Sequence, residues 1–240
     1  VKGKQLDRAL SLVNEMRALG FEPTGKARLD AETDADFDPT RRMDAQRGKQ
    51  LRYLRMMKTR ADVERSLDEL GTLSNVKEYS MAISAWGRAG EHERAFAVLE
   101  EMEARGVSPN AVSFGAAISA CKPRGLWEKA LALLEEATSR GLEPDVIAYS
   151  SAISVCETAG QWERAVSLLY EMPGRGLQPN VYSFSSAISA CEKAGQSDRA
   201  LLLFQEMLSR GIEPDEISYA TAISACGRGG KSQQALELLK

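Results

Sequence analysis

The sequence predicts an all-α solenoid, an α-α superhelix of tandem helical hairpins, and three observations predict it. An interval of 35 residues separates Tyr79, Phe114, Tyr149, Phe184 and Tyr219, and the same interval separates Ile83, Ile118, Ile153, Ile188 and Ile223. Residues 146–180 and 181–215 are identical at 19 of 35 positions, which compositional bias does not supply. Each interval also holds two apolar stripes of helical period divided by a glycine, the signature of stacked hairpins. At 240 residues, 43% hydrophobic and 27% charged, the chain is long and apolar enough to bury such a core. No window approaches the roughly eighteen apolar residues of a membrane span. With 31 basic against 34 acidic residues and a net charge of -3, the chain is not one that coats nucleic acid by bulk positive charge. Any polyanion must be met by a local face.

Complete repeats run 76–110, 111–145, 146–180 and 181–215, and 216–240 is a partial fifth. In the second repeat, Phe114, Ile118 and Cys121 fall at i, i+4 and i+7, which predicts a first helix of about three turns. Arg124-Gly125, or Ala-Gly at 89–90, 159–160 and 194–195, ends it with a glycine suited to the left-handed conformation. Trp127, Ala130, Leu133, Leu134 and Ala137 make the second stripe, repeated as Trp162, Ala165, Leu168, Leu169 and Met172. Arg140-Gly141 and then Pro144 stop that helix. Neither helix buries its apolar residues alone, so neighbouring hairpins stack into a continuous core.

Upstream, Ala9, Leu10, Leu12, Glu15, Met16, Gly20 and Pro23 match the second-helix half of a repeat, so 1–24 reads as the C-terminal part of one more. Residues 25–75 break the period as a linker with degenerate or capping helices. Within them the acidic stretch 30–40 reads as disordered, and Leu51, Leu54, Val63, Leu67 and Leu70 predict one or two charged helices against the array.

Other motifs carry little. Cys121, Cys156, Cys191 and Cys226 occupy one register, so stacking sets them about 10 Å apart, too far for one metal or a disulfide, and they read as small core residues. Asp34, Asp36 and Asp38 resemble the start of a calcium loop, but Pro39 replaces its glycine and Ala45 its bidentate Glu. His92, in a charged run, reads as a solvated surface residue. No glycine-rich phosphate loop or nucleophile elbow is present.

A 35-residue hairpin with an early aromatic, Ala-Gly at its middle, Ala-Leu in its second helix and Glu-Met…Arg-Gly…Pro-Asn/Asp at its end resembles the pentatricopeptide repeat family. The wording Ala-Ile-Ser-Ala-Cys and Gln-Trp-Glu-Arg-Ala is similar to the large repeat families of dinoflagellate algae. The resemblance implies a sequence-specific single-stranded RNA-binding adaptor of mitochondria or chloroplasts, not itself an enzyme, that acts in RNA processing, editing, stability or translation. It implies partnership with processing or editing factors, and no cofactor, metal, membrane or small-molecule substrate.

In that family one base is read per repeat by the residue after the aromatic and the last residue of the repeat. Here these are Ser80 with Asn110, Gly115 with Asp145, Ser150 with Asn180, and Ser185 with Asp215, while Ala220 has no partner in this chain. A small hydroxyl with Asn resembles the adenine-reading pair and one with Asp the guanine-reading pair. Read 5′ to 3′, the repeats imply A, an unassigned base, A, then G; Gly115 lacks the hydroxyl. Val112, Ile147, Tyr182 and Ile217 stand where family members sandwich each base, and Lys77 departs from that pattern. Arg88, Lys193 and Arg228 share one register and are candidates for phosphates; Pro123 and Thr158 in that register are not.

The same residues also have a purely structural reading. Asn110, Asp145, Asn180 and Asp215 precede the next first helix, where Asn and Asp are good N-caps, and small residues after each aromatic suit close helix packing. Charge offers a separate hint: the first-helix halves sum to +2 and the second-helix halves to -7, leaving the inner face near neutral to basic. Two other functions fit a helical array: a protein-binding scaffold whose groove grips a peptide, and the RNA-targeting arm of a larger nuclease or editing enzyme.

Overall fold

The computed structural model describes residues 39–230, with side chains from residue 47 on. The half-repeat expected at 1–24 and most of the acidic stretch lie outside the described residues. Contacts divide the chain into Val1–Lys49 and Gln50–Lys240. The first unit contributes only the opening of one helix to the described residues, and all the repeats from residue 76 on belong to the second.

Eleven α-helices and no strands make up the described residues. α1 (Pro39–Leu54) and α2 (Arg60–Leu70) precede the array, and Leu54, Val63 and Leu70 join its core. The repeats run as α3 (Val76–Arg88) with α4 (His92–Ala104), α5 (Ala111–Ala120) with α6 (Trp127–Ser139), α7 (Val146–Thr158) with α8 (Trp162–Gly174), and α9 (Val181–Lys193) with α10 (Ser197–Ser209). α11 (Glu216–Arg228) opens the fifth.

Caps set these boundaries. Every helix of the complete repeats except α5 ends with the amide two residues beyond the C-cap reaching back along the chain, as from Leu142 to Ala137 O at 3.0 Å and from Gln196 to Cys191 O at 2.8 Å. Gly141 (φ 73°) and Gly195 (φ 73°) supply the left-handed turn that this bond requires. The second repeat departs from the other complete repeats, whose first helices run 13 residues. α5 stops after 10 residues and a 3₁₀ turn, Lys122–Arg124, takes over, because Pro123 has no N–H for the α-helical ladder.

Each first helix packs on its own second helix and on the next first helix, and each second helix also touches the next first helix. Tyr79, Phe114, Tyr149 and Phe184 are fully buried between them, as are Ile83, Ile118, Ile153 and Ile188. The arginine after the second helix closes three of these aromatics from outside: Arg140 lies 5.4 Å from the Phe114 ring, Arg175 5.7 Å from Tyr149 and Arg210 5.7 Å from Phe184. His92 departs from its expected solvation. It is half-buried, edge-on to Phe96 at 6.0 Å, because its register is that of Trp127 and Trp162, which pack against the core.

Candidate nucleic-acid interface

The first helices α3, α5, α7, α9 and α11 form one continuous row, so residues of equal register line up along it. The second helical residue gives a ladder of exposed apolar side chains: Val112 at 62% exposure, Ile147 at 67%, Tyr182 at 47% and Ile217 at 63%. Water covers these groups once per repeat, with Lys77 standing at the head of the row.

Three residues further on, the row turns inward. Ser80 is buried; its Oγ donates to Val76 O at 2.8 Å and lies 3.0 Å from Ser113 Oγ. Ser113 in turn lies 3.2 Å from Asn110 Oδ1, so Ser80 and Asn110 are joined through one hydroxyl. Ser185 repeats this arrangement more tightly, 2.7 Å from Ser218 Oγ and 3.3 Å from Asp215 Oδ1. Burial pushes the Asp215 carboxyl up, but hydrogen bonds from the Ser218 side chain and backbone, and from Ser185, outweigh it and hold the group below its ordinary range.

The middle pairs differ. Ser150 is buried and its Oγ has no hydrogen-bond partner among the described residues. Ser183, which stands where Ser113 and Ser218 stand, donates instead to Asn180 O at 2.8 Å. Gly115 is backed by Ala148, whose Cβ would lie 3.8 Å from a Cβ at 115, an ordinary contact. Ala220 is exposed.

All four paired carboxamides and carboxylates are N-caps: Asn110, Asp145, Asn180 and Asp215 each accept the backbone N–H three residues on. A cap uses one side-chain oxygen. Asn110 and Asn180 keep an amide donor group, and Asp145 and Asp215 keep a second acceptor oxygen, so capping leaves the two types chemically distinct.

The three cations in the shared register have different surroundings. Lys193 pairs with Glu157 at 2.9 Å and Arg228 with Glu192 at 3.2 Å, each glutamate also taking a serine, Ser189 or Ser224. Among the described residues Arg88 meets no carboxylate; it donates to Leu54 O at 2.9 Å. Sequence reasoning missed Glu157 and Glu192, although each sits one register before the cation of the next repeat. Lys122 shares that earlier register and was missed too. Its Nζ donates to Tyr182 Oη at 3.0 Å, and Tyr182 donates to Ser154 Oγ at 3.0 Å.

The four cysteines are buried. Burial pushes the thiols up, to about 12 for Cys121 and about 11 for Cys156 and Cys191. Among the described residues no group of His, Cys, Asp or Glu is arranged to hold a metal, and no helix is long and apolar enough to cross a membrane.

Known proteins share this fold. Residues 119–240 match the family model of the pentacotripeptide-repeat region of PRORP, and residues 74–122 that of the PPR repeat family. No curated protein matches the sequence. The crystal structure of the pentatricopeptide repeat protein PPR10 from maize is similar at 30% identity, covering 78% of this chain and 28% of that one, with a TM-score of 0.62. PPR10 in complex with an 18-nt psaJ RNA element is similar at 27% identity, over 79% of this chain and 32% of that one, with a TM-score of 0.63. The chain therefore spans less than a third of the length of these relatives. The PPR domain of Arabidopsis thaliana protein-only RNase P 1, in complex with tRNA, shares the fold at 15% identity, over 68% of this chain and 88% of that one, with a TM-score of 0.58.

Proposed function

Since this chain belongs to the pentatricopeptide repeat family, we propose that it is a sequence-specific single-stranded RNA-binding adaptor that reads about one base per repeat along the row of first helices. The observation that carries the reading is the ladder Val112, Ile147, Tyr182 and Ile217, exposed at one register and spaced one per repeat. Such side chains leave apolar area in water that flat bases between them would cover. Beside each rung stands a polar pair: Ser80 with Asn110, Ser150 with Asn180, and Ser185 with Asp215 read A, A and G, and Gly115 with Asp145 takes an unassigned base. PPR10 with its psaJ RNA element supports this use of the fold.

The chain works in organellar RNA processing, editing, stability or translation, in mitochondria or chloroplasts, as a guide and not as the catalyst. A second reading makes it the targeting arm of a larger RNA-cleaving enzyme, favoured by the match of residues 119–240 to the repeat region of PRORP. Sequencing the complete open reading frame distinguishes these two.

Selection of bound sequences from a random single-stranded RNA pool, with micromolar protein at two salt concentrations, tests the RNA reading. Enrichment of A, any base, A, G in that register supports it. No enrichment, or equal retention of double-stranded RNA, overturns it in favour of a protein-binding scaffold.

A further inference from the structure

Positive charge along the row of first helices is unevenly distributed. Lys193 and Arg228 are tied to carboxylates, but at the head of the row Arg55, Lys77 and Arg88 converge on one cavity of about 630 Å³ without a carboxylate in its lining. None of the three makes an ion pair among the described residues. The same cavity is lined by Ser80, Asn110 and Val112, the polar pair and the apolar rung that follows it. Arg88 also lines the neighbouring cavity, about 520 Å³, together with Lys122 and again without an acid.

Two of these cations depart from the repeat. Lys77 occupies the register that is apolar in the next four repeats. Arg55 comes from the turn after α1, outside the repeats altogether. Arg88 uses one guanidinium nitrogen on Leu54 O, which holds it beside that turn. Burial, and then the Arg55 guanidinium, lower the Arg88 pKa, as expected where like charges meet without a counter-ion. Like charges gathered at a concave site make a receptor for a compact anion, and forked guanidinium donors match phosphate oxygens.

We propose that Arg55, Lys77 and Arg88 form a phosphate site that holds the phosphate immediately 5′ of the base read by Ser80 and Asn110. The inference rests on the RNA-binding reading and its 5′-to-3′ register. Lys77 takes the place of the outer rung, so the first base is stacked by Val112 on one side and its phosphate is gripped by charge on the other. The phosphate is either the 5′-terminal group of an RNA that begins at this base or an internal phosphodiester of a strand that continues upstream.

The test measures dissociation constants by fluorescence anisotropy for the 240-residue chain, Arg55→Gln and Lys77→Gln. Three 3′-labelled RNAs carry AAAG and the same uridine tail: one with a 5′-phosphate, one with a 5′-hydroxyl, and one with an oligouridine leader. A terminal-phosphate site makes the 5′-phosphate RNA bind about tenfold tighter than the 5′-hydroxyl form, a difference lost in both variants. An internal-phosphodiester site makes the leader RNA bind tighter than the 5′-hydroxyl form, and each variant lowers its salt slope by about 0.7. If wild type binds all three equally and neither variant changes affinity or slope, the phosphate site is overturned while the RNA reading stands. Absence of binding to every RNA at micromolar protein overturns both.

Discussion

Ser185 Oγ lies 2.7 Å from Ser218 Oγ, across the gap between α9 and α11, and 3.3 Å from Asp215 Oδ1, the cap of α11. One cluster thus joins a helix cap, an interhelix contact and a pair proposed to read a base. The two roles separate chemically, because capping needs one oxygen and base reading needs the remaining donor or acceptor.

Asn180→Asp exploits that separation. Aspartate caps as well as asparagine, so the folding stability stays within about 0.5 kcal/mol of wild type, while the preferred base at the third repeat changes from adenine to guanine. Asn180→Ala loses the cap as well and destabilises by about 1 kcal/mol. Chemical denaturation and RNA selection on the two variants check both outcomes.

Ile147 and Ile153 share α7 but face different surroundings, 67% and 0% exposed. Ile147→Ala leaves stability near wild type and weakens binding of an AAAG-containing RNA by about fivefold, the loss of roughly 1 kcal/mol of stacking. Ile153→Ala opens a cavity in the core and costs about 2–5 kcal/mol of stability. Urea unfolding and anisotropy titrations distinguish them; a stability loss from Ile147→Ala would contradict the assignment of that rung to the ligand.

Glu157 neutralises Lys193 on the row of first helices. Glu157→Gln removes the negative charge and releases the lysine to a phosphate, so RNA binding strengthens at low salt and the salt slope steepens by about 0.7. Folding stability changes by less than about 1 kcal/mol, because Lys193 is solvent-exposed and glutamine keeps an acceptor oxygen for Ser189. A binding titration at several salt concentrations reads the effect.

The buried thiols predict an alkaline limit. Their pKa values in the folded chain, about 12 for Cys121 and about 11 for Cys156 and Cys191, lie above the ordinary 9.0. The unfolded chain loses these protons first as pH rises. The contribution to stability is therefore complete below pH 9.0 and falls between there and the folded values of about 11 to 12. Maleimide labelling of native protein at neutral pH leaves these three cysteines unmodified, and the urea midpoint declines only above pH 9.0. Rapid native labelling would contradict their burial.

The hairpins, their caps and the core aromatics were legible in the sequence because each depends on neighbours a few residues away. Gly141 permits a left-handed turn wherever that helix packs, and Asn110 caps the helix that begins beside it. The 35-residue period then carried this local information into stacking, since residues of equal register must line up. His92 reads as solvated only when its charged neighbours are weighed above its register with Trp127 and Trp162. Pro123 is visible in the sequence as a missing cation, but its shortening of α5 emerges only in the fold.

The electrostatics of the first-helix row needed the folded chain. Lys122 reaches Tyr182 across 60 residues of sequence, and Lys193 and Arg228 meet glutamates 36 residues away. Arg55 belongs to no repeat, yet it shares a cavity with Lys77 and Arg88. Periodicity supplies register along the array, but whether a cation faces a carboxylate or open water depends on ångström-scale distances between separate helices. Coulomb interactions and screening change over that same scale, so stacking alone fixes which charges remain available to a ligand.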